Sequence, residues 1–240
     1  MKFVHTQGVV LRTADRKESD RLLTVLSPEL GRILVLARGC RKPKSKFLSC
    51  SQLFCYGDLI LQPYRDIYIM NQAEVRNSFF DIRSDMERLS GATYIANLTE
   101  EVATTGENNF PLFRLLLAGL SYFAFGEKDL AGRMLIYELK LMDLIGYRPV
   151  LDTCVICGNH PVGSAFSFRP EQGGLVCENC RGSDPSGIPI SRETSRVMQK
   201  ILDADIDECF RLPISPGEKE QLNRVLRSEE RRVGKECRSR

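Results

Sequence analysis

Two short cysteine pairs carry the clearest chemistry in this chain: Cys154-Val-Ile-Cys157 and Cys177-Glu-Asn-Cys180, with nineteen residues between them. C-x2-C, a gap near twenty and a second C-x2-C is the spacing of a tetrahedral zinc site. Two intervening residues let one tight turn aim both thiolates at one ion, and four soft ligands suit Zn²⁺. Gly158 follows the first pair and Arg181-Gly182 the second, where the chain must reverse and a side chain would clash. Between the pairs, Ala165 to Val176 alternates around Pro170 and Gly173-Gly174, a hairpin signal. The segment reads as a zinc ribbon with one structural zinc on Cys154, Cys157, Cys177 and Cys180. Four thiolates leave no open position for water, which a catalytic zinc keeps. A redox or disulfide role is the weaker alternative, because redox work has no need of a second pair.

The second feature is a run of cations, Arg38-Gly-Cys-Arg41-Lys42-Pro-Lys44-Ser-Lys46, with five positive charges in nine residues and no acid. Pro43 and Gly39 make it a loop. Neighbouring strands and loops add Arg12, Arg16, Lys17, Arg21 and Arg32. Such a surface suits a polyphosphate, since each phosphate neutralised releases counterions. Phe47, Phe54, Tyr56, Tyr64 and Tyr68 are candidate stacking partners for bases, with core packing as the alternative for each. The alternative for the charges is a solvated loop. Residues 1–80 hold 13 Lys and Arg against 7 Asp and Glu, whereas residues 81–227 hold 16 against 21. A basic module on an acidic body points to a polyanion at one end.

Catalysis is poorly supplied. Of two histidines, His5 lies in a strand and His160 sits beside a tetrahedron already filled by cysteine. No phosphate-binding glycine loop, nucleophile elbow or His-x-Glu of a zinc deaminase occurs. The chain is therefore not expected to be an enzyme. Nine cysteines, five without a pairing pattern, together with a zinc site imply a reducing cytoplasm. No apolar run approaches the ~18–20 residues of a membrane span, and no secretory leader is expected.

The elements that position these groups change period along the chain. Strands are expected at 4–11, 21–26, 32–37, 53–63 and 67–76, with residues 13–20 a polar loop and Ser27-Pro-Glu-Leu-Gly31 a turn. Five short strands in about eighty residues suggest a small barrel, OB-type first and SH3-like second. After Phe80 the 3/4 spacing of helices begins, with helices at 111–125 and 128–145, the latter closed by Gly146 and Pro149. Residues 186–191 read as a linker into a helix from Ser191 to Ala204. Ser215-Pro-Gly-Glu218 reads as a capping box opening a last helix to Arg227. The fold class is thus α+β multidomain: an OB-type five-stranded barrel at 1–80, then a helical domain at 81–150 and 186–227 interrupted by the four-cysteine ribbon at 151–185. The polar tail 228–240 looks foreign to the helix before it and carries none of the functional expectation.

Gly8-Val-Val-Leu-Arg12, Glu18-Ser-Asp-Arg-Leu-Leu-Thr24, Gly31-Arg32, Ala37-Arg-Gly39 and Lys44-Ser-Lys46 resemble the opening module of the bacterial RecO family of DNA repair proteins. Tyr137-Glu-Leu-Lys-Leu-Met-Asp-Leu-Ile-Gly-Tyr-Arg-Pro149 is similar to that family's helix leading into the zinc segment, and both cysteine pairs match the segment itself. The polar tail departs from the further apolar helix usual there. The resemblance implies a non-enzymatic mediator of homologous recombination, cytoplasmic and nucleoid-associated in a bacterium. It binds single- and double-stranded DNA, anneals complementary strands, and with RecR promotes RecA loading on DNA coated by the single-stranded-DNA-binding protein. The acidic C-terminal tail of that protein is a further expected partner, in the helical part, with Arg133 and Lys140 as candidate contacts; their alternative is exposed helix charge. No membrane partner is expected. The rival readings are a protein adaptor and a zinc-ribbon factor acting on RNA.

Overall fold

A computed structural model describes residues 3–126, 129–161, 165–182 and 187–238, with side chains as far as residue 228. The chain divides into two compact units, 1–130 and 131–240. In the first, β1 (Val4–Arg16), β2 (Asp20–Ser27), β3 (Gly31–Ala37), β4 (Tyr56–Tyr64) and β5 (Ile67–Asn77) close into a barrel in the order β1-β2-β3-β5-β4. β1 returns to β4, and β3 meets β5 in parallel at Val35↔Tyr68 and Leu36↔Ile69. That order is the Greek-key closure of the OB fold. Bulges between Val10 and Arg12 in β1, and at two places in the β4–β5 pairing, supply the local twist that closure needs. Gly31 closes the turn opened by Pro28 at φ 68, and a Cβ there would collide with the Thr104 carbonyl.

The barrel interior holds Val10, Leu23, Val25, Ile33, Val35, Leu59, Leu61 and Met70. Alternation along β3 is clean: Ile33, Val35 and Ala37 are buried while Arg32 and Leu34 are exposed. β1 runs five residues beyond the expected strand. Asp15↔Arg21 and Arg16↔Asp20 continue the ladder as a polar two-stranded ribbon, whose residues lack the apolar alternation that marks a half-buried strand. Residues 38–55 follow as consecutive turns, with Ser45 N–H donating to Lys42 C=O and Ser51 N–H to Phe47 C=O. Cys40, Phe47 and Cys50 from this segment enter the barrel core, so it is a tethered cap.

Three helices complete the first unit: α1 (Phe80–Ser84), α2 (Met86–Val102) and α3 (Phe110–Phe125). Asp85 caps α2 by accepting from the N–H groups of Glu87 and Arg88. The Arg88 guanidinium donates to the Phe123, Ala124 and Gly126 carbonyls at the end of α3, which joins the two helices end to end in charge.

The second unit opens with α4 (Leu130–Leu144), and Gly146 at φ 87 follows its end as the sequence implied. β6 (Ala165–Arg169) and β7 (Gly174–Val176) form the hairpin around a 3₁₀ turn at Pro170–Gln172. A short α5 (Glu178–Arg181) comes next. β8 (Ile188–Ser191) is a third strand paired to β6, where a linker was expected. Ile188 and Ile190 alternate toward one face, and Pro189 is tolerated because β8 is an edge strand. Then come α6 (Arg192–Asp203), capped by Ser191 Oγ, α7 (Ile206–Cys209) and α8 (Pro216–Arg238). The capping box forms: Ser215 N–H donates to Glu218 Oε2 at 2.7 Å and Glu218 N–H to Ser215 Oγ at 3.4 Å. α8 continues past Arg227 through most of the polar tail, where Glu, Arg and Lys are good helix formers despite the lack of an apolar face.

Candidate nucleic-acid interface and metal centre

The ten cations singled out in the sequence fall into two groups. At one end of the barrel, the β1–β2 turn and the start of the 38–55 cap lie together. Arg41 N–H donates to Ser19 C=O at 3.0 Å, and Gly39 N–H donates to Asp20 Oδ1 at 2.7 Å. This brings Arg16, Lys17 and Arg21 beside Arg38, Arg41 and Lys42, with Lys44 following in the cap. Arg16, Lys17, Arg38, Lys42 and Lys44 are exposed, and none is in an ion pair among the described residues. Asp15 pairs with both Arg21 and Arg41, at 3.0 and 3.3 Å. Lys46 lies 4.9 Å above the Phe47 ring and donates to the Asn71 carbonyl of β5. Glu18 adds one exposed acid to this end.

Arg12 and Arg32 sit elsewhere. Both turn toward α2, Arg12 pairing with the Glu100 carboxylate at 2.9 Å and Arg32 donating to the Glu100 carbonyl at 3.1 Å. The stacking candidates also divide. Phe47 and Phe54 are buried, Tyr56 packs edge-on against Phe113, and Tyr68 packs on the barrel core. Tyr64 alone of the five is exposed, at 47 %. Sequence reasoning missed Asp15 and Asp20 as organisers of this end. Their signal was the cross-strand pairing of the β1–β2 ribbon, invisible while residues 13–20 read as a loop.

Arg133 and Lys140 of α4 are both buried. Lys140 Nζ donates to the Leu202 and Ala204 carbonyls at 2.9 and 2.6 Å, and Arg133 donates to the Leu212 carbonyl at 2.6 Å. They tie α4 to the ends of α6 and of the α7 segment.

The four cysteines converge, with all Sγ atoms within 4.8 Å of one another. Cys157 Sγ and Cys177 Sγ are 3.9 Å apart. A tetrahedron with metal–sulfur bonds of about 2.3 Å has sulfur–sulfur edges near 3.8 Å, so the donor set fits Zn²⁺; a disulfide needs about 2.05 Å. The first knuckle turns on Gly158 at φ 74, whose N–H donates to Cys154 C=O at 2.8 Å. In the second, Cys177 precedes α5, Cys180 lies on it, and Gly182 at φ 57 leaves it. Cys154 and Cys177 are buried and pack with Val176; Cys157 is exposed. Burial works against a Cys154 thiolate, yet the N–H groups of Cys157, Cys177 and Ile156 hold its pKa down to about 6. Cys180, hydrogen-bonded to the Cys157 and Cys177 sulfurs, is pushed up to about 12. Four thiols this close ionise together only around a cation. His160 stands apart, its Nδ1 2.8 Å from the Asp152 carbonyl.

An OB-type barrel with one cationic end, followed by a helical unit carrying a four-cysteine knuckle able to take a metal ion, defines a distinct class of multidomain protein. The Recombination protein O N terminal model matches residues 1–79, and the Recombination protein O C terminal model matches residues 83–235. DNA repair protein RecO of Alkaliphilus metalliredigens is 36% identical over 94% of this chain and 91% of its own length. The RecO proteins of Desulforamulus reducens and Bacillus cereus strain B4264 are 32% and 31% identical, over 95% and 93% of this chain and 88% and 89% of their own. The chain belongs to the RecO family of DNA repair proteins. Among the described residues no helix is long and apolar enough to cross a membrane.

Proposed function

We propose that this chain is a recombination mediator that works by binding and not by catalysis. Its cationic barrel end grips the sugar–phosphate backbone of single- and double-stranded DNA through Arg16, Lys17, Arg21, Arg38, Arg41, Lys42, Lys44 and Lys46. Arg12 and Arg32 extend the surface toward α2. Annealing needs no reacting group: a positive surface screens two strands from each other while their bases remain free to pair. In this reading the protein acts with RecR to favour RecA on DNA coated by the single-stranded-DNA-binding protein, in the bacterial cytoplasm. The acidic tail of that coating protein docks on the helical unit, where Arg133 and Lys140 brace the helices from beneath. Cys154, Cys157, Cys177 and Cys180 would hold one zinc ion, which when bound cross-links the two knuckles.

The observation that carries this reading is the convergence of exposed cations from the β1–β2 turn and the 38–55 cap at one end of the barrel. The test replaces Arg41, Lys42, Lys44 and Lys46 by Glu and titrates labelled single-stranded DNA across a salt series. The native chain should lose affinity steeply with salt, by a slope of about 0.7 per phosphate contact, and the variant should show both weak binding and a flattened slope. Unchanged affinity in the variant defeats the proposal and leaves the adaptor reading.

A further inference from the structure

The outer face of β1, β4 and β5 carries a surface of the opposite charge. The ladder sets two rows of neighbours across it, His5–Ile60–Gln72 and Gln7–Asp58–Glu74. His5, Gln72 and Glu74 are exposed, and Gln7, Asp58 and Ile60 are half-buried. Over these rows lies a groove of about 670 Å³, walled by Pro28 and Glu29 of the β2–β3 turn and by Phe110 at the start of α3. Thr6, Leu59 and Ala73 complete the lining. Along β2, the Asp20 end meets the cationic cap and the Ser27 end meets this groove. The two ends of that strand are about 23 Å apart.

Glu29, Asp58 and Glu74 line the groove, His5 is its single basic side chain, and no lysine or arginine lines it. Arg76 takes Asp58 at 2.5 Å. Glu29 and Glu74 are in no ion pair among the described residues. Asp58 stands directly opposite Glu74 across the ladder, an arrangement of like charges that costs stability. Glu29 is held in place: Thr6 Oγ1 donates to its Oε2 at 2.6 Å, and Ser27 Oγ lies 2.7 Å from that hydroxyl, both hydroxyl residues being buried. The Phe110 ring is 53% exposed. Its position is fixed by Asn109 N–H donating to Pro28 C=O at 2.8 Å and by its own N–H donating to Asn108 Oδ1 at 2.9 Å. Both N–H groups at this helix start are thus already taken and are not offered to an anion.

We propose that this groove docks an arginine-bearing segment of a partner protein. Two carboxylates without a cation, on opposite walls, complement guanidinium groups and repel a phosphate backbone. The exposed Phe110 ring gives a guanidinium plane a face to lie on, and Ile60 and Pro28 give the segment's apolar side chains a floor and a wall. These apolar surfaces favour a peptide over a free polyamine, which makes use of the charge alone. The barrel is closed, so β4 offers no free edge here and recognition falls to side chains. The groove and the cationic end lie at opposite ends of β2, so one barrel can hold the partner and a polyanion together.

The test titrates the full-length chain against a short labelled peptide that alternates arginine with leucine, and against the same peptide with glutamate for arginine, by fluorescence anisotropy across a salt series. The arginine peptide should bind and the glutamate peptide should not. Glu29→Gln with Glu74→Gln should weaken the arginine peptide about tenfold and flatten its salt dependence. Phe110→Ala removes no charge and should weaken it about threefold with the salt dependence unaltered. Glu74→Gln alone relieves the repulsion with Asp58, so its thermal midpoint should hold or rise while peptide affinity falls; a purely structural role for Glu74 predicts a lower midpoint. Oligothymidylate affinity should be the same in all these variants, which keeps this site distinct from the cationic end. Unchanged peptide affinity in the Glu29/Glu74 and Phe110 variants, equal binding of the glutamate peptide, or full displacement by an equal concentration of spermidine overturns the proposal.

Discussion

Asp15 Oδ2 lies 3.3 Å from Nη1 of Arg41, and through this contact the β1–β2 ribbon holds the cap that carries the cations. The same carboxylate takes Arg21 at 3.0 Å. Asp15 is half exposed, so the pairs contribute little to stability, about 0–1 kcal/mol. Their effect is on supply: two arginines are spent on an internal acid that a phosphate must replace. Asp15→Asn should therefore tighten DNA binding several-fold and steepen its salt dependence, with the urea midpoint almost unmoved. Weaker binding by this variant would show that positioning of the cap outweighs the freed charge.

Lys140 is a buried cation with a defined task. It donates to Leu202 and Ala204 carbonyls at the C-terminus of α6, where a positive charge also complements the helix dipole. Lys140→Met keeps the stem and removes the donors, leaving two carbonyls short of a partner. A loss of about 2 kcal/mol in chemical denaturation is expected, with oligonucleotide affinity unchanged. Destabilisation well below that value would mean the carbonyls find water.

The barrel was legible because its strands alternate and its turns are marked by Pro28 and Gly31. The cysteine knuckles were legible from spacing alone. What stayed hidden depends on distant partners. The outer part of β1 is polar on both faces and is held by cross-strand pairs, so no periodicity reveals it. Ile188–Ser191 becomes a strand only because β6 offers an edge. Residue type told that Phe47 and Phe54 were aromatic, not that Phe47 packs into the barrel core and that Phe54 is fully buried. Arg133 and Lys140 read as contacts for an acidic tail or else as exposed helix charge, yet both are buried, and the carbonyls they donate to lie 79 and 62 residues away.

The knuckle gives a metal prediction. Freshly purified protein should contain one zinc per chain, and Cys154→Ser or Cys177→Ser should abolish it and unravel the β6–β7 hairpin, since such sites carry folding free energy of order 10 kcal/mol. Metal content and amide exchange of residues 150–191 are the measurements. A sub-stoichiometric zinc content, or full protection of the hairpin in a metal-free Cys154→Ser chain, would count against the assignment.

The barrel's own thiols predict an alkaline limit to stability. Burial, reinforced by the neighbouring Cys55, pushes the Cys50 thiol from its ordinary 9.0 up to about 12. Burial likewise raises Cys55 to about 11, against a partial offset from Arg83. The folded chain keeps both protonated where the unfolded chain has begun to ionise. Their contribution is thus fully present below pH 9 and is lost as pH rises toward about 11–12, because the unfolded state sheds protons first. Stability measured by denaturant at successive pH values should fall across that window. Cys50→Ala lowers the whole curve through a cavity, yet its slope above pH 9 should be shallower than that of the native chain. Parallel slopes in the two proteins would show that Cys50 does not govern the decline.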